Sequence, residues 1–237
     1  MKKALIPIPD KDFDTTEVSI TWKIFRENGI NVAFSTENGI VGETDPLLLK
    51  GVIFGQLGAK KDAIAAYDQL IKSEEFLHPL KYEDIIPAEF DLLFLPGGHA
   101  KGMRQYLESK TLQEKVVEFF HLNKLVGSVC HGPLVLARSI DPETGRSIIY
   151  NYHLTALPKS LEKLAHSLTK WKLGDYYRTY PEYVQDEITR YLGGREQFET
   201  GLNSFIPFLV EDKNLTTGRW PHDVKKLAHR LVEKLNF

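Results

Sequence analysis

A single cysteine in 237 residues excludes an internal disulfide and leaves no set of thiolates for a structural metal cluster. The eight histidines are scattered and none lies four positions from another, so no helical ligand pair is present and no metal is expected. Charge of one sign is also missing. Thirty basic and 32 acidic residues leave a net charge of -2, which points away from nucleic acid and from an anionic membrane surface. No apolar run approaches the length of a membrane span, and Pro7, Pro9 and Asp10 interrupt the first apolar stretch too soon for a signal-peptide core. Repeats, low-complexity runs and linkers are absent as well. With 42% hydrophobic residues the chain can fill a core. The expectation is one cytoplasmic domain over residues 1–237 that acts on a small or neutral molecule.

What the chain does have is concentrated in Leu125-Val126-Gly127-Ser128-Val129-Cys130-His131-Gly132-Pro133. An apolar run stops at a reactive residue flanked by small ones, and a new apolar segment follows, which is the layout of a nucleophile elbow. Such a turn lifts the side chain above the carboxyl edge of a sheet at a helix N-terminus, where the dipole favours a thiolate. The alternative is a buried cysteine acting as a small hydrophobe.

Several other segments are expected on the same edge. Ala4–Ile8 reads as a buried strand. A helix from Glu17 to Asn28 follows, capped by Thr15 or Thr16 and ended by Gly29, and Ile30–Ser35 reads as the next strand, so the three form a βαβ unit. Glu17 in the first helical turn either offsets the dipole or faces the cysteine. Phe90–Leu95 reads as a central strand that ends in Pro96-Gly97-Gly98-His99. Paired glycines there let the backbone approach another group closely, as an oxyanion hole requires. His99 points into the site or to solvent.

The remainder reads as follows. Residues 36–58, with five glycines, read as loops and a small hairpin. Lys60–Phe76 reads as one helix and Gln105–Asn123 as one or two. Ile148–Tyr152 and Leu154–Pro158 read as strands, Ser160–Trp171 as a helix, and Phe205–Val210 with Leu215–Thr217 as paired strands. Residues 222–235 read as a closing helix. The repeated βα order predicts an α/β fold, a three-layer sandwich around a doubly wound, mostly parallel sheet.

Leu95-Pro96-Gly97-Gly98-His99, Val129-Cys130-His131-Gly132-Pro133 and Leu215-Thr216-Thr217-Gly218-Arg219-Trp220-Pro221 together resemble the ThiJ/PfpI superfamily, whose fold is similar to class I glutamine amidotransferase domains and is flavodoxin-like. Cys-His-Gly-Pro after the strand, the length, and the insertion between the second and third strands, near 36–80, look most like its heat-shock-type branch of glutathione-independent glyoxalases (glyoxalase III), while a second insertion near 172–204 departs from that pattern. The resemblance implies Cys130 as nucleophile, His131 and Glu17 as its acid–base neighbours, and an oxyanion hole at Gly98 and the His131 N–H, with Gly97 and His99 beside it. It implies a third acid that orients the histidine. Glu162 aligns best, with Asp175 and Asp186 as alternatives and a site without a third acid as another. It further implies a homodimer and the cofactor-free conversion of a small 2-oxoaldehyde such as methylglyoxal to a hydroxy acid. Alternatives are a cysteine peptidase or amidase, and a redox sensor or holding chaperone.

Overall fold

The computed structural model describes residues 1–51 and 58–236. Its centre is a seven-stranded sheet made of β1 (Lys3–Pro7), β2 (Asn31–Thr36), β3 (Leu80–Lys81), β4 (Leu92–Leu95), β5 (Leu125–Val129), β6 (Leu209–Asp212) and β7 (Leu215–Gly218), in the order β6-β7-β5-β4-β1-β2-β3. Every neighbouring pair is parallel except β6 and β7. Leu5 lies opposite Ala33 on one side and Leu93 on the other, and Leu95 lies opposite Ser128. The central strands read as continuous apolar runs because helices cover both of their faces.

One helical layer joins α1 (Thr15–Glu27) to α2 (Lys61–Leu70) and to α8 (Val224–Asn236). The other gathers α3 (Met103–Glu108), α4 (Lys110–His121) and α7 (Val184–Tyr191) around α5 (Pro133–Arg138). The longest helix, α6 (Lys159–Leu173), lies beside α7. One apolar cluster runs from Ala4 through Phe94 and Val129 to Leu235. The expected doubly wound α/β sheet is therefore present.

Several local expectations are corrected. The cap of α1 is Asp14, whose carboxylate accepts the N–H groups of Thr16 and Glu17, in place of Thr15 or Thr16. The helix expected over Lys60–Phe76 divides at Ser73, whose hydroxyl donates to the Leu70 carbonyl before the short helix Glu74–Leu77 begins. Residues 148–152 form hydrogen-bonded turns in place of a strand. The pairing around that point is Ile140–Asp141 with Arg146–Ser147. Of Leu154–Pro158 only Leu154 forms a bridge, to Phe198. Residues 205–208 stay outside β6. In the expected insertion after β2, Glu43–Thr44 pairs with Lys11–Phe13 and Pro46–Lys50 is a short helix. Residues 52–57, which include Gly55 of the expected hairpin region, lie outside the described residues. No described helix is long and apolar enough to cross a membrane.

Candidate active site

Cys130 follows the last residue of β5 with a φ of 61°, in the left-handed region that costs a non-glycine residue energy unless its surroundings hold it there. Three contacts do so. The Cys130 N–H donates to the Gly218 carbonyl at the end of β7 (3.4 Å), its carbonyl accepts from Leu157 N–H (3.1 Å), and Ser128 Oγ donates to the Leu95 carbonyl (3.1 Å). The small neighbours are required by space. A Cβ on Gly132 would collide with the Leu95 carbonyl, and one on Gly97 would sit 2.6 Å from the His131 nitrogen and 2.9 Å from the Cys130 Cβ. The loop after β4 thus lies directly against the elbow, at the carboxyl edge where parallel α/β sheets bind ligands.

Glu17 reaches the same point from the first turn of α1. Its Oε2 accepts the Gly97 N–H at 2.6 Å, while Oε1 has no nitrogen or oxygen partner and the carboxyl sits beside the Cys130 sulfur. Glu17 is fully buried. Burial pushes it well above the usual carboxylate range and the Asp14 charge adds to this, against the Gly97 N–H and the Cys130 contact. Glu17 therefore holds its proton more tightly than a free glutamate does, beside the sulfur. Asp14, at 3% exposure, is itself pushed up to about 6, first by burial.

The thiol corrects a sequence expectation. A thiolate favoured by the helix terminus and His131 is not what the site holds. Burial pushes the Cys130 thiol well up, the Glu17 and Asp14 carboxylates push the same way, and only the His131 backbone N–H opposes them. The helix behind the elbow has six residues, too short a dipole to offset that desolvation. The resting thiol is therefore protonated, beside a carboxyl group that itself holds its proton more tightly than usual.

His131 supplies the acceptor. Its Nδ1 lies 3.4 Å from Cys130 Sγ, and its Nε2 lies 3.1 Å from Thr179 Oγ1. The Thr179 hydroxyl donates its only proton to the His99 carbonyl at 2.6 Å, so Nε2 must carry the hydrogen and Nδ1 presents a lone pair to the thiol. Burial lowers the pKa of the His131 ring well below its ordinary value, which keeps it neutral at rest. Thr179 is fixed in turn by Arg104, whose Nε donates to its carbonyl at 2.8 Å.

Glu162, the expected third acid, lies elsewhere. Its carboxylate accepts the Val184 N–H at 3.1 Å and pairs with Arg178 at 3.4 Å, and burial pushes it up to about 7. The alternatives are also engaged: Asp175 with His166 and Asp186 with Lys159. Thr179 is the group at Nε2 of His131, and among the described residues none of these three acids hydrogen-bonds to that ring.

His99 turns into the site. Its ring stacks edge-on against His131 at 5.0 Å and against Tyr177 at 4.8 Å, and burial lowers its pKa to about 4. Tyr177 also packs against Tyr176, and the Tyr176 hydroxyl donates to Asp45. With Leu47, Leu48, Ala165 and Leu173 the two tyrosines form a small apolar cluster, and its Tyr177 is the ring that packs against His99. Cys130 and His131 are fully buried. Although no histidine pair is legible in the chain, the fold gathers the ligand-type atoms of His99, Cys130 and His131 within 4.8 Å of one another.

Asp14, Thr179 and Tyr177 were not singled out from sequence. Asp14-Thr15-Thr16-Glu17 does carry a helix-start pattern that could have flagged the first, and the run Tyr176-Tyr177-Arg178-Thr179-Tyr180-Pro181-Glu182-Tyr183, whose tyrosines suit either a pocket wall or a subunit contact, holds the other two without distinguishing them.

The profile of a family described as ThiJ/PfpI family-like matches residues 8–194. Two glutathione-independent glyoxalases of Schizosaccharomyces pombe, hsp3102 and hsp3101, are 26% and 32% identical over 93% and 92% of this chain, and the matches span 87% and 84% of their own lengths. The crystal structure of glyoxalase III from Candida albicans superposes with a TM-score of 0.73 at 21% identity, covering 98% of this chain and 96% of that one.

Proposed function

The chain belongs to the ThiJ/PfpI family, and from that premise we propose that it converts a small 2-oxoaldehyde such as methylglyoxal to the corresponding hydroxy acid, lactate, without glutathione. The observation that carries this is the buried Cys130–His131–Thr179 arrangement with the Glu17 carboxyl at the sulfur: a nucleophile, a base and an acid–base group brought to one point, with His99 and Tyr177 packed beside them.

The Cys130 thiol passes its proton to His131 Nδ1 as sulfur bonds to the aldehyde carbon. The oxygen that gains charge takes a hydrogen bond from the backbone at Gly98 and His131 and then a proton, giving a hemithioacetal. A base, His131 or ionised Glu17, removes the hydrogen from the former aldehyde carbon while the ketone oxygen is protonated, which produces an enediol. Protonation of the adjacent carbon and loss of the hydroxyl proton leave a thioester of lactate on Cys130. Water cleaves it, returning the thiol and releasing lactate. Oxidation of one carbon balances reduction of its neighbour, so no cofactor enters. The same reading treats the chain as one domain, and adopts the cytoplasmic location expected from the single cysteine and the homodimer that the resemblance implies.

A covered nucleophile favours a small aldehyde over an extended peptide. A buried thiol of raised pKa is also unlike a redox-sensing cysteine, which is exposed and ionised. Purified protein supplied in parallel with methylglyoxal and with small peptide amides, with glutathione omitted, is expected to form lactate and leave the amides intact. Amide cleavage without lactate would reverse the assignment to a hydrolase.

Thr179 acts through His131 as a positioning residue. Thr179→Val leaves the buried Nε2–H without an acceptor, and kcat is expected to fall about tenfold to a hundredfold with KM little changed. Thr179→Ser restores the hydroxyl and most of the rate. Equal losses in both variants would assign the effect to packing.

A further inference from the structure

We propose that His99, Cys130 and His131 form a three-ligand site for a thiophilic cation that also accepts imidazole, with Zn2+ as the representative, and that its binding holds the nucleophile in an inactive state. One thiolate and two imidazoles are the ligand types such cations take, and three protein ligands with a fourth position left to solvent is a common arrangement. With Zn–S near 2.3 Å and Zn–N near 2.05 Å, tetrahedral geometry places a sulfur and a nitrogen about 3.6 Å apart. Cys130 Sγ and His131 Nδ1 are already 3.4 Å apart. All three ligand atoms lie within 4.8 Å of one another, so closure asks for a movement of about 1 Å. His99 can make it, since it is the partly exposed member of the three and sits on the loop after β4.

The surroundings fit. Thr179 Oγ1 occupies Nε2 of His131, which leaves Nδ1 as the ligating nitrogen and supplies the outer hydrogen bond that oriented metal-binding histidines have. Binding exchanges the S–H bond of Cys130 for a sulfur–metal bond and releases the proton to solvent. No electron is transferred. The bound cation removes the nucleophile lone pair from the aldehyde, so it acts as an inhibitor.

The test is spectroscopic and independent of the proposed activity. Metal-free protein is titrated with Co2+, then with Zn2+. One equivalent of Co2+ is expected to give a sulfur-to-cobalt charge-transfer band that Zn2+ abolishes. Cys130→Ser should remove the band, and His99→Phe should weaken Zn2+ binding at least tenfold. Absence of the band in wild type would overturn the proposal without reference to any variant. So would equal Zn2+ affinity in all three proteins, because binding would then lie on surface pairs such as His166–Asp175. A glyoxalase assay adds a separate reading: if lactate forms, Zn2+ should compete with the aldehyde, whereas absence of lactate overturns only the proposed function.

Discussion

Glu17→Gln is expected to lower the rate of lactate formation about 10²- to 10⁴-fold, the range for loss of a positioned acid or base. Glutamine keeps the size of the side chain and an oxygen for the Gly97 N–H, but it has no proton to give and cannot become a base. The fold should survive. Stability also carries a signature with a definite sign. The folded pKa of Glu17 is raised from its ordinary 4.5, so the folded state holds this proton more tightly than the unfolded chain does. The resulting stabilisation is complete below about 4.5 and is lost as pH rises through the folded value. Asp14, raised from 3.8 to about 6, adds a loss of the same sign between those two values. The glutamine variant should therefore lose less stability than wild type as pH rises from about 4.5 to 7. An unchanged lactate rate would remove Glu17 from the chemistry, and parallel stability profiles would contradict its raised pKa.

Asp223→Ala is expected to destabilise the fold by about 3–5 kcal/mol, because it strands a buried guanidinium. Arg219 is 1% exposed and Asp223 fully buried. The Asp223 carboxylate accepts the Arg219 N–H at 2.8 Å, its Nε at 2.9 Å and Nη2 at 3.1 Å, and the Phe208 N–H at 3.1 Å. The remaining guanidinium hydrogens go to the carbonyls of Thr200, Asn203 and Ile206. The pair thereby fastens the 200–206 loop to the end of β7, next to the Gly218 carbonyl that receives the Cys130 N–H. The double variant Arg219→Met/Asp223→Leu removes both charges and should recover part of the loss. Urea unfolding of the three proteins measures this. A loss below about 1 kcal/mol in Asp223→Ala would show that the pair is not what fastens this edge.

The sheet was legible because its strands are short apolar runs interleaved with helical periodicity, and the elbow because Ser128, Cys130, Gly132 and Pro133 satisfy steric demands that few other residues meet. Glu17 and Gly97-Gly98 could be placed on the right edge by order alone, since strand ends of a parallel sheet converge there. The partner of the histidine was not legible. Glu162 sits in the first turn of α6 as expected, yet that helix directs it to Val184 and Arg178, while Thr179, in a segment without periodicity, receives the histidine. The direction of the thiol pKa was also misread from sequence. Dipole and neighbour arguments need only local order, whereas desolvation depends on the whole fold closing around the thiol and on Glu17 and Asp14 arriving from elsewhere in the chain. The same long-range convergence joins His99 to His131.

The central claim is that Cys130 is the group that takes the aldehyde. Lactate formed per methylglyoxal consumed, measured side by side for wild type and Cys130→Ala in metal-free buffer without glutathione, tests it most directly. One lactate per aldehyde from wild type, with a rate at least about 10³-fold lower in the variant, is the predicted result. Lactate at the wild-type rate from Cys130→Ala would contradict it.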